Sequence, residues 1–200
     1  MMISTNDRII RNAFRGVLNA ELKTYKLNSK QPARIFEELS VKHGTARIDI
    51  AVINGVMHGY EIKSDLDTLR RLPEQMNEYN AVFDYLTLIV GKHHLYDAIN
   101  MIPDWWGIVI AKVNPKGKVV FHNIRVAENN PAQVKVSIAR LLWRDEALRI
   151  LEESNQAKGV RSKSRETVYV RLTEVLETDV LKAKVRETLL VSRKDWRFGV

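Results

Sequence analysis

The segment from Ala46 to Lys63 constrains this chain more than any other. Ala46 to Ile53 and Val56 to Lys63 both read as strands, and Asn54-Gly55 between them is a strong hairpin signal. The first strand carries Asp49 inside the apolar run Ile48-Asp49-Ile50-Ala51-Val52. A carboxylate there is costly to bury unless it is paired or bound to a metal. The second strand carries Glu61 and Lys63, two residues apart and therefore on one face. The turn decides whether Asp49 joins them. A two-residue loop would set Asp49 opposite Tyr60, with Glu61 on the other face. A three-residue loop, Ile53-Asn54-Gly55 with Gly55 left-handed, shifts the register by one. It sets Arg47 opposite Glu61 and Asp49 opposite Gly59. Asp49 and Glu61 then become diagonal neighbours, roughly 7–8 Å apart at the backbone, which suits one hydrated metal ion between them. This register is the expected one. It gathers Ile48, Ile50, Val52, Val56, Tyr60 and Ile62 on the opposite face.

The surrounding pattern is a mixed α/β domain. Residues 7–25 read as a helix, with Ile9, Ile10, Ala13, Phe14, Val17, Leu18 and Leu22 on one apolar face and Thr5 or Asn6 as its cap. Arg8, Arg11 and Arg15 form a basic stripe on it, read as a solvated face in preference to a phosphate contact. Ile35 to Val41 reads as a strand. Asp65 to Asp84 is helical in pattern, with the main helix expected from near Pro73. Leu86 to Val90 is a buried strand, His94 to Ile102 a short helix, and Gly107 to Val113 with Lys118 to Phe121 a hairpin. A helix is expected from Pro131 to about Leu151. Ser154 to Lys163 reads as a polar linker, and helices are expected over 165–176 and 179–191. The expected domains are therefore 1–153 and a basic linker with a helical C-terminal appendage, 154–200.

Two hundred residues without a cysteine exclude disulfides, thiolate zinc sites and cysteine nucleophiles, and fit a reducing cytoplasm. No apolar stretch approaches a membrane span, and the first seven residues lack a signal-peptide layout. The net charge of +8 favours an anionic partner, nucleic acid first. Charge alone is equally well explained by solubility.

An Asp on one strand followed, after a short hairpin, by Glu-x-Lys on the next resembles the PD-(D/E)XK nuclease signature. Gln75-Met76-Asn77-Glu78-Tyr79 resembles the Gln-x-x-x-Tyr motif of that superfamily's RecB-type branch. The longer strings Gly59 to Asp65 and Pro103-Asp104-Trp105-Trp106-Gly107 look like a small, poorly characterised family of bacterial and phage members. The pattern departs from the superfamily in one place: Ile48, not proline, precedes Asp49. The branch also has an upstream histidine, for which His43 is the candidate. The resemblance implies a restriction-endonuclease-like core of helix, three strands, helix and strand, with a mixed sheet flanked by helices.

It also implies hydrolysis of DNA phosphodiesters with Mg²⁺ or Mn²⁺. Asp49, Glu61 and the carbonyl of Ile62 would hold the metal, and Lys63 would orient or deprotonate the attacking water. A plain salt bridge to Glu61 is the competing role for Lys63. Glu38 is the candidate for a further acid, with Glu37 its competitor. Gln75 and Tyr79 would position the strand or Lys63, though Tyr79 serves a core equally well. Arg47 would bind phosphate or neutralise the acids. Asp65 and Asp67 are expected to cap the helix in preference to approaching the metal, and Trp105 and Trp106 to pack rather than stack on bases. The alternative function is a catalytically silent nucleic-acid-binding module, or a subunit of a larger phage, defence or repair complex. The C-terminal helices would then dock a second copy or a partner protein. The expected setting is the cytoplasm of a bacterial or phage-infected cell.

Overall fold

The computed structural model of the protein describes residues 4–192. The first three residues and the end of the expected appendage, 193–200, lie outside it. Helix α1, Asp7–Ser29, opens the fold. Asn6 caps it by accepting from the backbone N–H of Ile9 at 3.0 Å. Its expected end near 25 is extended by one turn, to a left-handed Lys30 two residues before Pro32. Ile10, Phe14 and Leu18, one per turn, are the buried stripe.

Six strands follow: β1 (Arg34–Val41), β2 (Ala46–Ile53), β3 (Met57–Lys63), β4 (Tyr85–Gly91), β5 (Gly107–Val113) and β6 (Val119–Arg125). They form one sheet in sequential order. The pairs β1–β2, β2–β3 and β5–β6 are antiparallel, whereas β3–β4 and β4–β5 are parallel. Each parallel pair needs a crossover, supplied by α2 (Leu72–Asn80) and α3 (Leu95–Met101). Pro73 stands in the first turn of α2, where its missing N–H costs nothing.

Two apolar clusters lie on the two faces of the sheet. Ile10, Phe14 and Leu18 of α1 pack with Ile50, Val52, Ile62, Ile89 and Val109. The larger cluster joins Phe36, Ile48, Met57, Leu88 and Ile108 to α2 and to the C-terminal helices. Each fully buried aliphatic or aromatic side chain contributes about 1.5–3 kcal/mol.

The expected helix from Pro131 to Leu151 is two helices, α4 (Lys135–Ala139) and α5 (Arg144–Glu153). The break lies at Trp143, whose extended backbone donates its N–H to the Glu146 carboxylate at 2.7 Å, starting a new helix. Helices α6 (Arg165–Val175) and α7 (Thr178–Ser192) follow. Val168, Leu172, Leu181, Val185 and Leu189 belong to the same cluster as α4 and α5. The segment read as a linker also buries Ala157 and Val160 there. The described part of residues 154–200 thus shares one apolar cluster with α4 and α5. Among the described residues no helix is long and apolar enough to cross a membrane.

The hairpin differs from its expected register. Ile53 pairs with Met57, and Ile50 with Tyr60. The loop has three residues, but they are Asn54-Gly55-Val56, with Gly55 at φ +96°. The pairing is displaced by two residues: Ala51, not Asp49, lies opposite Gly59. A displacement of two preserves facing. Glu61 and Lys63 still share the face of Met57, while Tyr60 and Ile62 turn towards α1.

One expected facing is overturned. Ile48 lies in the larger cluster, on the face opposite Ile50 and Val52. On the neighbouring strand Phe36 and Leu39, three apart, also share that larger cluster. Between these pairs stand Asp49 and Glu38, and Glu38 adopts φ +56°. Both strands change parity at this point, as strands do at a bulge-like irregularity.

Candidate functional site

The irregularity in β1 and β2, the end of β3 and the helix α2 border one cleft of about 580 Å³. Asp49, Glu61, Lys63 and Gln75 line it, and Glu38 stands at its rim. Carboxylates outnumber cationic side chains in its lining, in a protein whose net charge is +8. The cleft is thus an acidic place on a basic molecule, suited to a cation before a polyanion.

Asp49 is anchored on both sides. Its Oδ2 accepts the backbone N–H of Ile62 at 2.7 Å, which ties β2 to β3 beyond the last ladder pair. Its Oδ1 accepts from Arg11 Nη2 at 2.6 Å. Burial pushes the Asp49 carboxyl up, against the opposing pull of the Arg11 guanidinium.

Glu61 is 2% exposed. Its Oε1 accepts from Lys63 Nζ at 2.6 Å and from Gln75 Nε2 at 2.8 Å. Burial, and then the charge of Asp49, push its carboxyl up to about 7, while Lys63 and Tyr79 pull the other way. Lys63 Nζ also donates to Gln75 Oε1 at 2.9 Å. An ammonium has three donors, and these bonds use two.

Tyr79 is a core aromatic whose hydroxyl reaches the cleft. Its ring is fully buried in the larger cluster. Its hydroxyl proton is shared between the Arg47 carbonyl, at 2.6 Å, and Glu61 Oε2, at 3.0 Å. One helical turn earlier, Gln75 Nε2 lies 3.2 Å from the same hydroxyl. Sequence spacing alone placed Gln75 and Tyr79 on one face. The fold turns that face onto Glu61 and Lys63.

The other candidates are placed differently. Glu38 does not complete a three-acid set: it pairs with Arg11 Nη1 at 3.0 Å. Among the described residues no group of three or more His, Asp and Glu side chains is arranged to hold a metal ion. Glu37 pairs with Arg15 at 2.9 Å and does not line the cleft. Arg47 is not opposite Glu61; its side chain is 61% exposed and its Nε lies 3.8 Å from Glu38. His43 stacks on Tyr169, with ring centroids 5.5 Å apart, away from the cleft lining. Asp65 and Asp67 do not cap α2, whose N-cap is Arg71. Asp65 instead accepts from the backbone and hydroxyl of Thr5 and from the His93 backbone. Asp67 accepts from the backbone and hydroxyl of Ser64 and lines the cleft. Trp106 is fully buried, with its indole N–H on Asn80.

Arg11 is the residue that sequence reading misplaced. It is not part of a solvated stripe. Its side chain is 18% exposed and contacts Asp7, Glu38 and Asp49. Burial works to lower its pKa, but Asp7 and Asp49 more than offset this and raise it. The i, i+4 spacing of Asp7 and Arg11 carried no signal of this, since such pairs are ordinary on an exposed helix face.

The donor set fits a hard divalent cation in chemistry. Two carboxylates and a backbone carbonyl are oxygen donors, and the cleft leaves room for water to complete six-fold coordination. Asp49 and Glu61 are the donors that would hold such an ion, with the Ile62 carbonyl.

The site and fold define a mixed α/β protein whose six-stranded sheet, flanked by helices, presents a buried acid–lysine constellation at one cleft. The chain belongs to the bacteriophage P4 protein cII family, whose model matches residues 7–194. It is 35% identical over 85 residues to Protein cII of Enterobacteria phage P4. That match covers 42% of this chain and 32% of the relative, so the chain spans about a third of the relative's length. A solved protein of unknown function from Silicibacter pomeroyi is similar at 19% identity, with a TM-score of 0.37. The similarity covers 68% of this chain and 88% of that one. Kinship with a phage family therefore holds, while the wider nuclease resemblance rests on the motif residues.

Proposed function

We propose that the cleft is the centre of a metal-dependent nuclease acting on DNA, with a restriction-endonuclease-like core. One observation carries the reading. Asp49, Glu61 and Lys63 are ionisable groups held largely out of water, yet they stand together at an open cleft. Burying charge opposes folding unless partners or ligands compensate, so such groups gather where chemistry needs them.

In this reading Asp49 and Glu61 hold Mg²⁺ or Mn²⁺ with the Ile62 carbonyl. The ion supplies positive charge to the phosphate and makes a water easier to deprotonate. Lys63 directs its remaining proton at the phosphate oxygen that gains charge, or holds the attacking water. Gln75 fixes Lys63 through one bond and Glu61 through another, so the two move as a unit. Tyr79 ties that unit to the β2 backbone at Arg47.

A second reading has its own support. The chain spans only about a third of its phage relative's length. Arg11 already supplies a positive charge to Asp49. On this reading the chain is a catalytically silent nucleic-acid-binding module, or a subunit of a larger phage, defence or repair complex.

Cleavage assays separate the two. Supercoiled, linear and single-stranded DNA, and RNA, are incubated with Mg²⁺, Mn²⁺ or EDTA. The nuclease reading expects metal-dependent cleavage that Glu61→Ala and Lys63→Ala each lower on the order of 100-fold or more. DNA retained in gel shifts, but uncut with every metal, would sink it in favour of the silent module. Cleavage untouched by either substitution would move the site elsewhere.

A further inference from the structure

We propose that Arg11 is a tethered cation competing with the divalent ion for Asp49, so that the ion must displace it to bind. This rests on the metal reading above and adds a control to that site. Asp49 has one carboxylate oxygen fixed to the sheet at Ile62. The other, Oδ1, is held by Arg11 Nη2 at 2.6 Å, and the same guanidinium donates to the Asp49 carbonyl at 3.0 Å. Arg11 thus occupies the oxygen of Asp49 that the sheet leaves over.

The same guanidinium reaches Glu38 Oε1 at 3.0 Å and both oxygens of Asp7, at 3.1 and 3.0 Å. One positive charge therefore faces three carboxylates. It cannot leave by losing its proton, because an arginine remains charged. It can leave only by moving. A second cation on Asp49 would sit within a few ångströms of it, and their repulsion weakens the binding of both. The movement has a destination. Asp7 lies one turn back on the same helix and already holds two of the guanidinium nitrogens. Glu38, at φ +56°, stands at the strand irregularity where its carboxylate meets this side chain.

The test measures Mn²⁺ binding to the full chain, by the loss of the free-ion electron paramagnetic resonance signal. Wild type is compared with Arg11→Met, Arg11→Lys and Asp49→Asn. Arg11→Met is expected to bind Mn²⁺ about tenfold or more tighter, because Asp49 and Asp7 lose their guanidinium partner and Glu38 keeps only Arg47. Arg11→Lys is expected to gain as well, since an ammonium does not reproduce the planar fork. Asp49→Asn is expected to weaken binding. Cooperative melting checks folding, and if Arg11→Met does not fold, Arg11→Lys decides on the same criterion. Unchanged or weaker binding by the Arg11 variants, with loss in Asp49→Asn, would overturn the competition and leave the metal site standing. No Mn²⁺ bound by wild type or by the Arg11 variants would overturn both together.

Discussion

Tyr79 joins the core to the cleft within one side chain. Its ring contributes to the larger cluster, and its hydroxyl reaches Arg47 and Glu61. Tyr79→Phe keeps the ring and removes the hydroxyl. A buried acceptor then loses its donor, which costs about 1–3 kcal/mol. Urea unfolding should show that loss. Under the nuclease reading, cleavage should fall too, because Glu61 and Gln75 lose their tie to β2. On the other face, half-buried His58 lies between Thr87 and Tyr60, at 2.8 and 3.2 Å. Burial depresses its pKa from 6.5 to about 4. In that interval the unfolded chain binds a proton that the folded chain refuses. The contribution of His58 is therefore complete above pH 6.5 and is lost as pH falls towards 4. With allowance for the partly open ring, the loss is on the order of 2 kcal/mol. His58→Gln, which does not titrate, should flatten the stability profile between those pH values. An unchanged slope would show that other groups set it.

At the scale of elements, the strand irregularity at Glu38 and Asp49 determines the site. A straight β2 would put Ile48 and Ile50 on one face. The observed strand divides them between the two clusters, with Asp49 between. The hairpin pattern made the shared face of Asp49 and Glu61 legible, because facing depends only on whether the shift is even or odd. The register itself was not legible. Two three-residue loops fit the string Ile53-Asn54-Gly55-Val56, and packing chooses between them. Close packing around two strand glycines gives another prediction. A Cβ at Gly91 would lie 2.4 Å from Asp65 Oδ1 and 2.5 Å from the Asp65 backbone nitrogen. At Gly59 the first obstacle is the Ile48 side-chain tip, also at 2.4 Å. Both alanine variants should lose about 1–3 kcal/mol through overpacking. Gly91→Ala should lose more, since backbone gives way less readily than a side-chain end. Thermal melting of the two variants checks the order.

At the scale of the molecule, α6 and α7 complete the core. Tyr169 donates its hydroxyl proton to the Leu142 carbonyl at 2.8 Å, and Lys182 pairs with buried Asp84. A chain ending at Ser154 would leave the faces of α4 and α5 open and Asp84 without its cation. It should lose its cooperative melt and associate through exposed apolar surface. Circular dichroism and size exclusion would show this. A truncated chain that remains monomeric and melts cooperatively would mean that the C-terminal helices are separable after all.

The sequence by itself determined the local events. Apolar patterning, the wholly apolar run Leu86 to Val90 and turn signals located the six strands and most helices, because burial follows each element's own geometry. Spacing alone grouped Glu61 with Lys63, and Gln75 with Tyr79. Only the tertiary structure decided which of these groups meet. Arg11 lies 38 residues from Asp49, and Lys182 lies 98 from Asp84. Nothing in the composition of α1 tells a solvated arginine from one buried against three acids. That distinction depends on which face of the helix the sheet covers, and the sheet covers it only once the strands have paired.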